Sequence, residues 1–244
     1  MRPKRYFLLI QFRTDASGPH EVSCFSRHGQ LTTNQLVVKN IFRDSFTHPA
    51  QELEHVAGII LGGSGEFGLV KSPEKLARPL EKLWPILDYA LAHNIPTLGA
   101  CFGHQLIGTH LGAQLVADPE YAESGSFTIR LTEEGQADPL FDGIPNEFTA
   151  QVGHQESLLT IPTGATLLAT SEQSPIHAYR VSNSVYGVQF HAELTVDDLL
   201  FRMRLYPEYI GGKNPDELRE LFLESDDAPR VLQNFLRLAR AQAS

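Results

Sequence analysis

Cys101 lies in the run Thr97-Leu98-Gly99-Ala100-Cys101-Phe102-Gly103-His104-Gln105. A short apolar run that ends Gly-x-Cys-x-Gly and passes straight into a helical pattern holds its central residue in a tight, strained turn. Small neighbours are needed because larger side chains collide there. The spacing predicts a nucleophile elbow. The N-terminus of the following helix would put partial positive charge and free N–H groups beside the sulfur, favouring a thiolate and leaving donors for an oxyanion. The opposing reading is an ordinary buried cysteine at a strand–helix junction.

A thiol nucleophile needs a base, and the base needs a partner that fixes its tautomer and steadies its charge. Tyr186-Gly187-Val188-Gln189-Phe190-His191-Ala192-Glu193 offers both, because an apolar strand delivers His191 at its end and a carboxylate follows two residues later. Leu61-Gly62-Gly63-Ser64-Gly65 follows another apolar run, at the edge where ligands of open α/β sheets bind. Such a turn can cradle a phosphate. It lacks the Gly-x-Gly-x-x-Gly and Gly-Lys-Ser/Thr arrangements, however, so a backbone N–H donor for an oxyanion is the better reading. Cys24 stands in a polar stretch with no helix start or neighbouring base in view and reads as inert. His104 and His110, on the helix after the elbow, read as packing or surface residues.

These groups require a scaffold of strands. Three short apolar runs bounded by Gly or Pro, at 6–12, 56–61 and 95–100, read as buried parallel strands. Between the last two, Ser72 and Pro73 supply an N-cap and a first-turn proline for a helix over 75–93, whose apolar residues recur at helical spacing. A second helix over 102–111 ends at Gly112. The middle of the chain reads as strands at 126–131, 148–152, 166–170, 177–181 and 185–190, and the pattern from 195 onward is helical, broken around 206–214. The expected fold is α/β: an open, mostly parallel sheet flanked by helices, with a mixed or antiparallel extension and a helical C-terminal tail. One domain is expected over 1–244, with its core at about 5–194 and its extension at about 195–244.

Among 244 residues, 42% are hydrophobic and 20% charged, so a single core forms without staples. Net charge is −9 and the basic residues are scattered apart from Arg2/Lys4/Arg5 and Arg202/Arg204, which argues against nucleic acid. With two distant cysteines, a disulfide framework or a Cys/His zinc site is not expected. The apolar run at the N-terminus is followed at once by Gln11, Arg13 and Asp15, and no run approaches the length of a membrane span. A cytosolic protein is expected.

The ordered set Gly62-Gly63, Gly99-Ala100-Cys101-Phe102-Gly103-His104-Gln105 and Phe190-His191-Ala192-Glu193 resembles the class I, or triad, glutamine amidotransferases, over roughly 56–194. The resemblance implies a flavodoxin-like sheet. It also implies attack by Cys101 on the side-chain amide of glutamine or a γ-glutamyl compound, with His191 as base and then acid and Glu193 orienting it. The N–H groups of Gly63 and Phe102 would hold the oxyanion. Gln105 and the stretch Val152-Gly153-His154-Gln155 would meet the substrate, and no cofactor or metal is implied. Ala192 stands where the family usually has Pro, and Ser64 where Pro often follows Gly-Gly. Because no synthase region follows, a free-standing hydrolase of glutamine or γ-glutamyl substrates is the first expectation. The alternatives are a glutaminase subunit that hands ammonia to a separate synthase chain, or a non-catalytic regulatory homologue. Loops at 66–72, 118–126 and 206–214 are expected to border the site.

Overall fold

A computed structural model of the chain describes residues 5–211 and 213–243, so Arg2 and Lys4 of the first basic cluster lie outside the described residues. The elements run β1 (Tyr6–Gln11), α1 (Ser17–His28), β2 (Leu36–Asn40), α2 (Pro49–Glu52), β3 (Val56–Leu61), α3 (Pro73–Ala92), β4 (Thr97–Ala100) and α4 (Phe102–His110). They continue with β5 (Leu115–Val116), β6 (Glu123–Leu131), α5 (Glu133–Ala137), β7 (Glu147–His154), β8 (Ser157–Leu158), β9 (Ala165–Thr170), β10 (Ala178–Val181) and β11 (Val185–Val188). The chain closes with α6 (Val196–Leu205), α7 (Pro215–Leu218) and α8 (Ala228–Gln242).

Nine strands form one sheet in the order β2-β1-β3-β4-β11-β10-β9-β6-β7. The first five are mutually parallel and the pairs beyond β11 are antiparallel, so the expected parallel sheet with an antiparallel extension is what forms. Alternation along β1 shows why the parallel strands read as continuous apolar runs. Phe7 and Leu9 pack with Phe25 of α1 and Val231, Leu232, Phe235 and Leu236 of α8. Leu8 and Ile10 pack on the other face with Leu76, Leu83 and Leu87 of α3 and Leu106 of α4. The C-terminal helix is therefore a structural layer, with a buried stripe at Ala228, Val231, Leu232, Phe235, Leu236 and Ala239.

The helix α1 differs from the sequence expectation. Its buried stripe, Ser17, Gly18, Glu21, Cys24 and Phe25, has helical spacing but one large apolar residue, so no hydrophobic period announces it. Cys24 sits on that stripe, where it joins Leu194 and, from α6, Val196, Leu199, Leu200 and Met203 in a third core cluster. Burial pushes its thiol up to about 12, against the nearby Arg202 guanidinium, which agrees with an inert side chain. Among the described residues no helix is long and apolar enough to cross a membrane.

Candidate active site

The carboxyl ends of four adjacent parallel strands, β1, β3, β4 and β11, converge on one place. They deliver Arg13, Gly62-Gly63, Cys101 and His191 respectively. Cys101 is the hinge between β4 and α4, with φ 52° and ψ −103°, a left-handed backbone that a non-glycine residue adopts only under strong local constraint. Its flanking glycines are required by close approach. A Cβ on Gly99 would run into the carbonyl oxygen of Gly103, and a Cβ on Gly103 into that of Leu61. The elbow is pinned by Cys101 N–H donating to Val188 O at 2.8 Å and Gly103 N–H to Gly62 O at 3.1 Å. The Cys101 Sγ lies 3.7 Å from Gly153 O, and the residue as a whole is 8% exposed.

His191 sits just beyond β11, its N–H bonded to Gln151 O at 2.8 Å, and its ring opens onto a cavity that Cys101 also lines. Nδ1 lies 2.8 Å from Glu193 Oε1. With Nδ1–H donating to that carboxylate, Nε2 is the nitrogen left for the cavity side. Burial opposes a charge on the ring, but the Glu193 carboxylate and Cys101 outweigh it and push the imidazole up to about 9. Glu193 is fully buried, and although burial raises it, His191 and then Arg202 hold it down at about 2. Arg202, from α6, donates from Nη1 to the same Oε1 at 3.1 Å. The cavity is completed by Leu199, Met203, Tyr206 and Tyr209, and a second one on the other side of Cys101 is lined by residues 64–68, Phe102, Gln105 and residues 153–156. Residues from all three loops expected at the border line these cavities or the one next to them.

The remaining residues singled out from sequence are distributed unevenly. Phe102 N–H, at the open first turn of α4, has no acceptor among the described residues. Gly63 N–H is engaged, donating to Glu21 Oε1 at 2.9 Å. Gln105 lines the second cavity, but its amide nitrogen bonds Glu156 O at 2.6 Å and Gln189 Oε1 at 3.1 Å. Val152 points into the core, while Gly153 lines both cavities. His154 also lines the second cavity, with its Nε2 2.9 Å from Glu123 Oε2. His104 is fully buried against Tyr179, where burial pushes it down to about 3, and His110 stacks on Trp84 and pairs with Asp88 at 2.6 Å.

Two groups of side chains carry metal-ligating atoms in proximity. His20, Cys24 and Asp198 form one; its thiol is held protonated by burial, and Asp198 already pairs with Arg27 and caps α6. In the other, Glu123 Oε2 receives both His154 Nε2 at 2.9 Å and His177 Nε2 at 2.7 Å, while Oε1 takes the Ser171 hydroxyl. Burial raises this carboxyl, yet the hydrogen bonds from the two histidines hold it far below its usual range. Sequence reading missed Arg13, Glu21, Arg202, Tyr206 and Tyr209. Tyr206 and Tyr209 were signalled only as part of the loop expected over 206–214, and Arg202 only as one of a small basic cluster with Arg204.

A strained cysteine elbow facing a His–Glu pair at the carboxyl edge of a flavodoxin-like sheet defines a cysteine amidohydrolase architecture. A model of the family Glutamine amidotransferase class-I matches residues 27–199. The chain is 31% identical over 147 residues to one subunit of the glutamine-hydrolyzing GMP synthase of Sulfolobus acidocaldarius, covering 59% of this chain and 71% of that one. It is 31% identical over 152 residues to the corresponding GMP synthase subunit from Methanocaldococcus jannaschii, covering 61% and 72%. A crystal structure of a glutamine amidotransferase from Thermotoga maritima superposes with TM-score 0.73 at 20% identity, over 98% of this chain and 97% of that one. The chain belongs to the class-I glutamine amidotransferase family and is an enzyme of that family.

Proposed function

We propose that the chain is the glutamine-hydrolysing subunit of a two-chain synthase: it releases ammonia from the side-chain amide of glutamine and passes it to a separate synthase chain. The observation that carries the chemistry is the placement of Cys101 on a strained turn in one cavity with the buried His191–Glu193 pair. Sγ attacks the amide carbon, His191 Nε2 receives the thiol proton and returns it to the leaving nitrogen, and water then hydrolyses the γ-glutamyl thioester by the reverse use of the same ring. Glu193 keeps Nδ1 protonated and steadies the imidazolium. Gly153, Gln105 and His154 form the wall against which the rest of the glutamine lies, Val152 supporting it from the core.

The two-chain reading is favoured over free-standing hydrolysis by the relatives from Sulfolobus and Methanocaldococcus, which are named as separate subunits of glutamine-hydrolysing synthases. The test is ammonia and glutamate release from glutamine by native protein and by Cys101→Ser, alone and with the chain that co-purifies from the source cell. Low activity alone, strong activation by the partner and loss with Cys101→Ser are expected. Full activity without a partner restores the free-standing hydrolase, and activity retained in Cys101→Ser overturns the mechanism.

A further inference from the structure

The oxyanion donors implied by the sequence are only half available, because Glu21 holds Gly63 N–H at 2.9 Å. Glu21 is fully buried, and its carboxylate also receives Arg13 Nε at 2.9 Å and Gln11 Nε2 at 2.9 Å. Freeing Gly63 N–H would require rearranging an ion pair removed from water, which is costly. Arg13 is 3% exposed. Its Nη1 bonds Ser17 Oγ at 3.0 Å and Ser64 O at 3.3 Å, but its Nη2 has no acceptor among the described residues. That nitrogen sits over Gly63, 2.6 Å from where a Cβ would stand, and His191 Cε1 is 3.5 Å from the same point. Arg13 lines the cavity shared by Cys101 and His191. A guanidinium brought out of water with one donor open, beside the nucleophile and its base, is arranged for an anion that forms there.

We propose that Arg13 is a catalytic residue: its Nη2 donates to the oxyanion of the tetrahedral intermediate, alongside Phe102 N–H, while Gly63 N–H stays with Glu21. This rests on Cys101 being the nucleophile. As Sγ bonds to the amide carbon, the carbonyl π pair moves onto oxygen and Arg13 Nη2–H and Phe102 N–H receive it. On collapse the C=O bond re-forms, the C–N bond breaks, and the nitrogen leaves with the proton from His191. Arg13 neither gains nor loses a proton. A charged donor in a site shielded from water supplies more than a neutral amide would.

The experiment compares two reagents on Cys101 in native protein, Arg13→Lys, and the double variant Arg13→Met/Glu21→Gln, which removes both buried charges together. A chloroketone analogue of glutamine first takes Cys101 Sγ at its carbonyl carbon, forming an oxyanion, and then re-forms the C=O bond as sulfur migrates to the adjacent carbon and chloride leaves, whereas iodoacetamide alkylates sulfur by direct displacement of iodide and forms no oxyanion. Rates are read at the pH plateau of each protein, with melting temperature as the folding control. The chloroketone rate is expected to fall about 100- to 1,000-fold, the loss typical of one oxyanion donor, with the iodoacetamide rate within about fivefold. With glutamine as substrate, kcat falls and KM holds. A chloroketone rate that falls no further than the iodoacetamide rate in a folded variant overturns the role of Arg13 and leaves Cys101 as nucleophile. If neither reagent labels Cys101 in native protein, the reading of the whole site fails instead.

Discussion

Glu193→Gln isolates what the buried carboxylate does for His191. Burial alone drives the ring toward its neutral form, and Glu193 heads the groups that overcome it and hold it at about 9 instead of 6.5. At about 1.4 kcal/mol per pH unit, this is a net preference for the protonated ring of about 3 kcal/mol. A group whose folded-state pKa is raised contributes stability that is complete below its unfolded value and disappears as pH rises through the folded one. Native protein should therefore lose melting temperature between about pH 6.5 and 9, on the order of 10 °C at 2 to 4 °C per kcal/mol for a chain of this size. The depressed Glu193 carboxyl, at about 2, gives the acid-side counterpart: its stabilisation is present above about 4.5 and is lost as pH falls through 2. Both describe one interaction and do not add. Gln keeps the shape, loses the charge, and can donate to Nδ1, which favours the wrong tautomer. A kcat loss of about 100- to 10,000-fold with little change in KM is expected, together with a flattened melting profile above pH 6.5. Thermal melts from pH 5 to 10 and ammonia release check both. A variant with the native slope and activity within threefold would refute the coupling.

Gly103→Ala gains about 1 kcal/mol of helix propensity in α4, yet its Cβ meets the Leu61 carbonyl oxygen. A net destabilisation of about 1 to 3 kcal/mol in thermal melts and a large loss of Cys101 reactivity are expected, and a stabilised, reactive variant would mean the elbow is not that tight. Cys24 is fully buried with its thiol pushed up to about 12, so mass spectrometry after brief alkylation at pH 8 should find one modified cysteine, and Cys24→Ala should keep activity within about twofold.

The parts of the molecule legible from sequence are those in which local chemistry fixes local pattern. Buried parallel strands must be apolar on both faces, so 56–61 announced β3 directly. A residue on a strained strand–helix turn must have small neighbours, so Gly99 and Gly103 announced the turn at Cys101. The carboxylate partner of a strand-end histidine stood two residues away, so Glu193 was legible too. The rest depends on contacts distant in sequence. The α1 helix is held by an ion pair from Glu21 to Arg13 and by packing under α6, neither of which leaves a hydrophobic period. Gln105 and His154 have suitable types for a ligand, but nothing in the sequence reveals that Glu156, Gln189 and Glu123 already engage them.

The cavity's charges follow a common plan that the sequence scatters across nearly 200 positions. Arg13 is balanced by Glu21 and Arg202 by Glu193, and all four side chains are buried. With those pairs neutral overall, the proposed transfer of the thiol proton from Cys101 to His191 would separate charge only within the site, and each product would face a fixed partner of opposite sign: the imidazolium Glu193, and the sulfur or the later oxyanion Arg13. Fixed partners need no reorientation when charge develops, whereas water in the same place would. The two arginines also divide the work by direction. Arg202 shares Oε1 with His191 Nδ1 and so keeps Glu193 ionised while competing for its charge, and Arg13 leaves its open donor on the side of Gly63 toward His191. A change at Arg202 should therefore act chiefly on the pH at which His191 works, and a change at Arg13 on the height of the barrier that remains at the pH plateau. The two residues occupy one cavity and remain separable by that contrast.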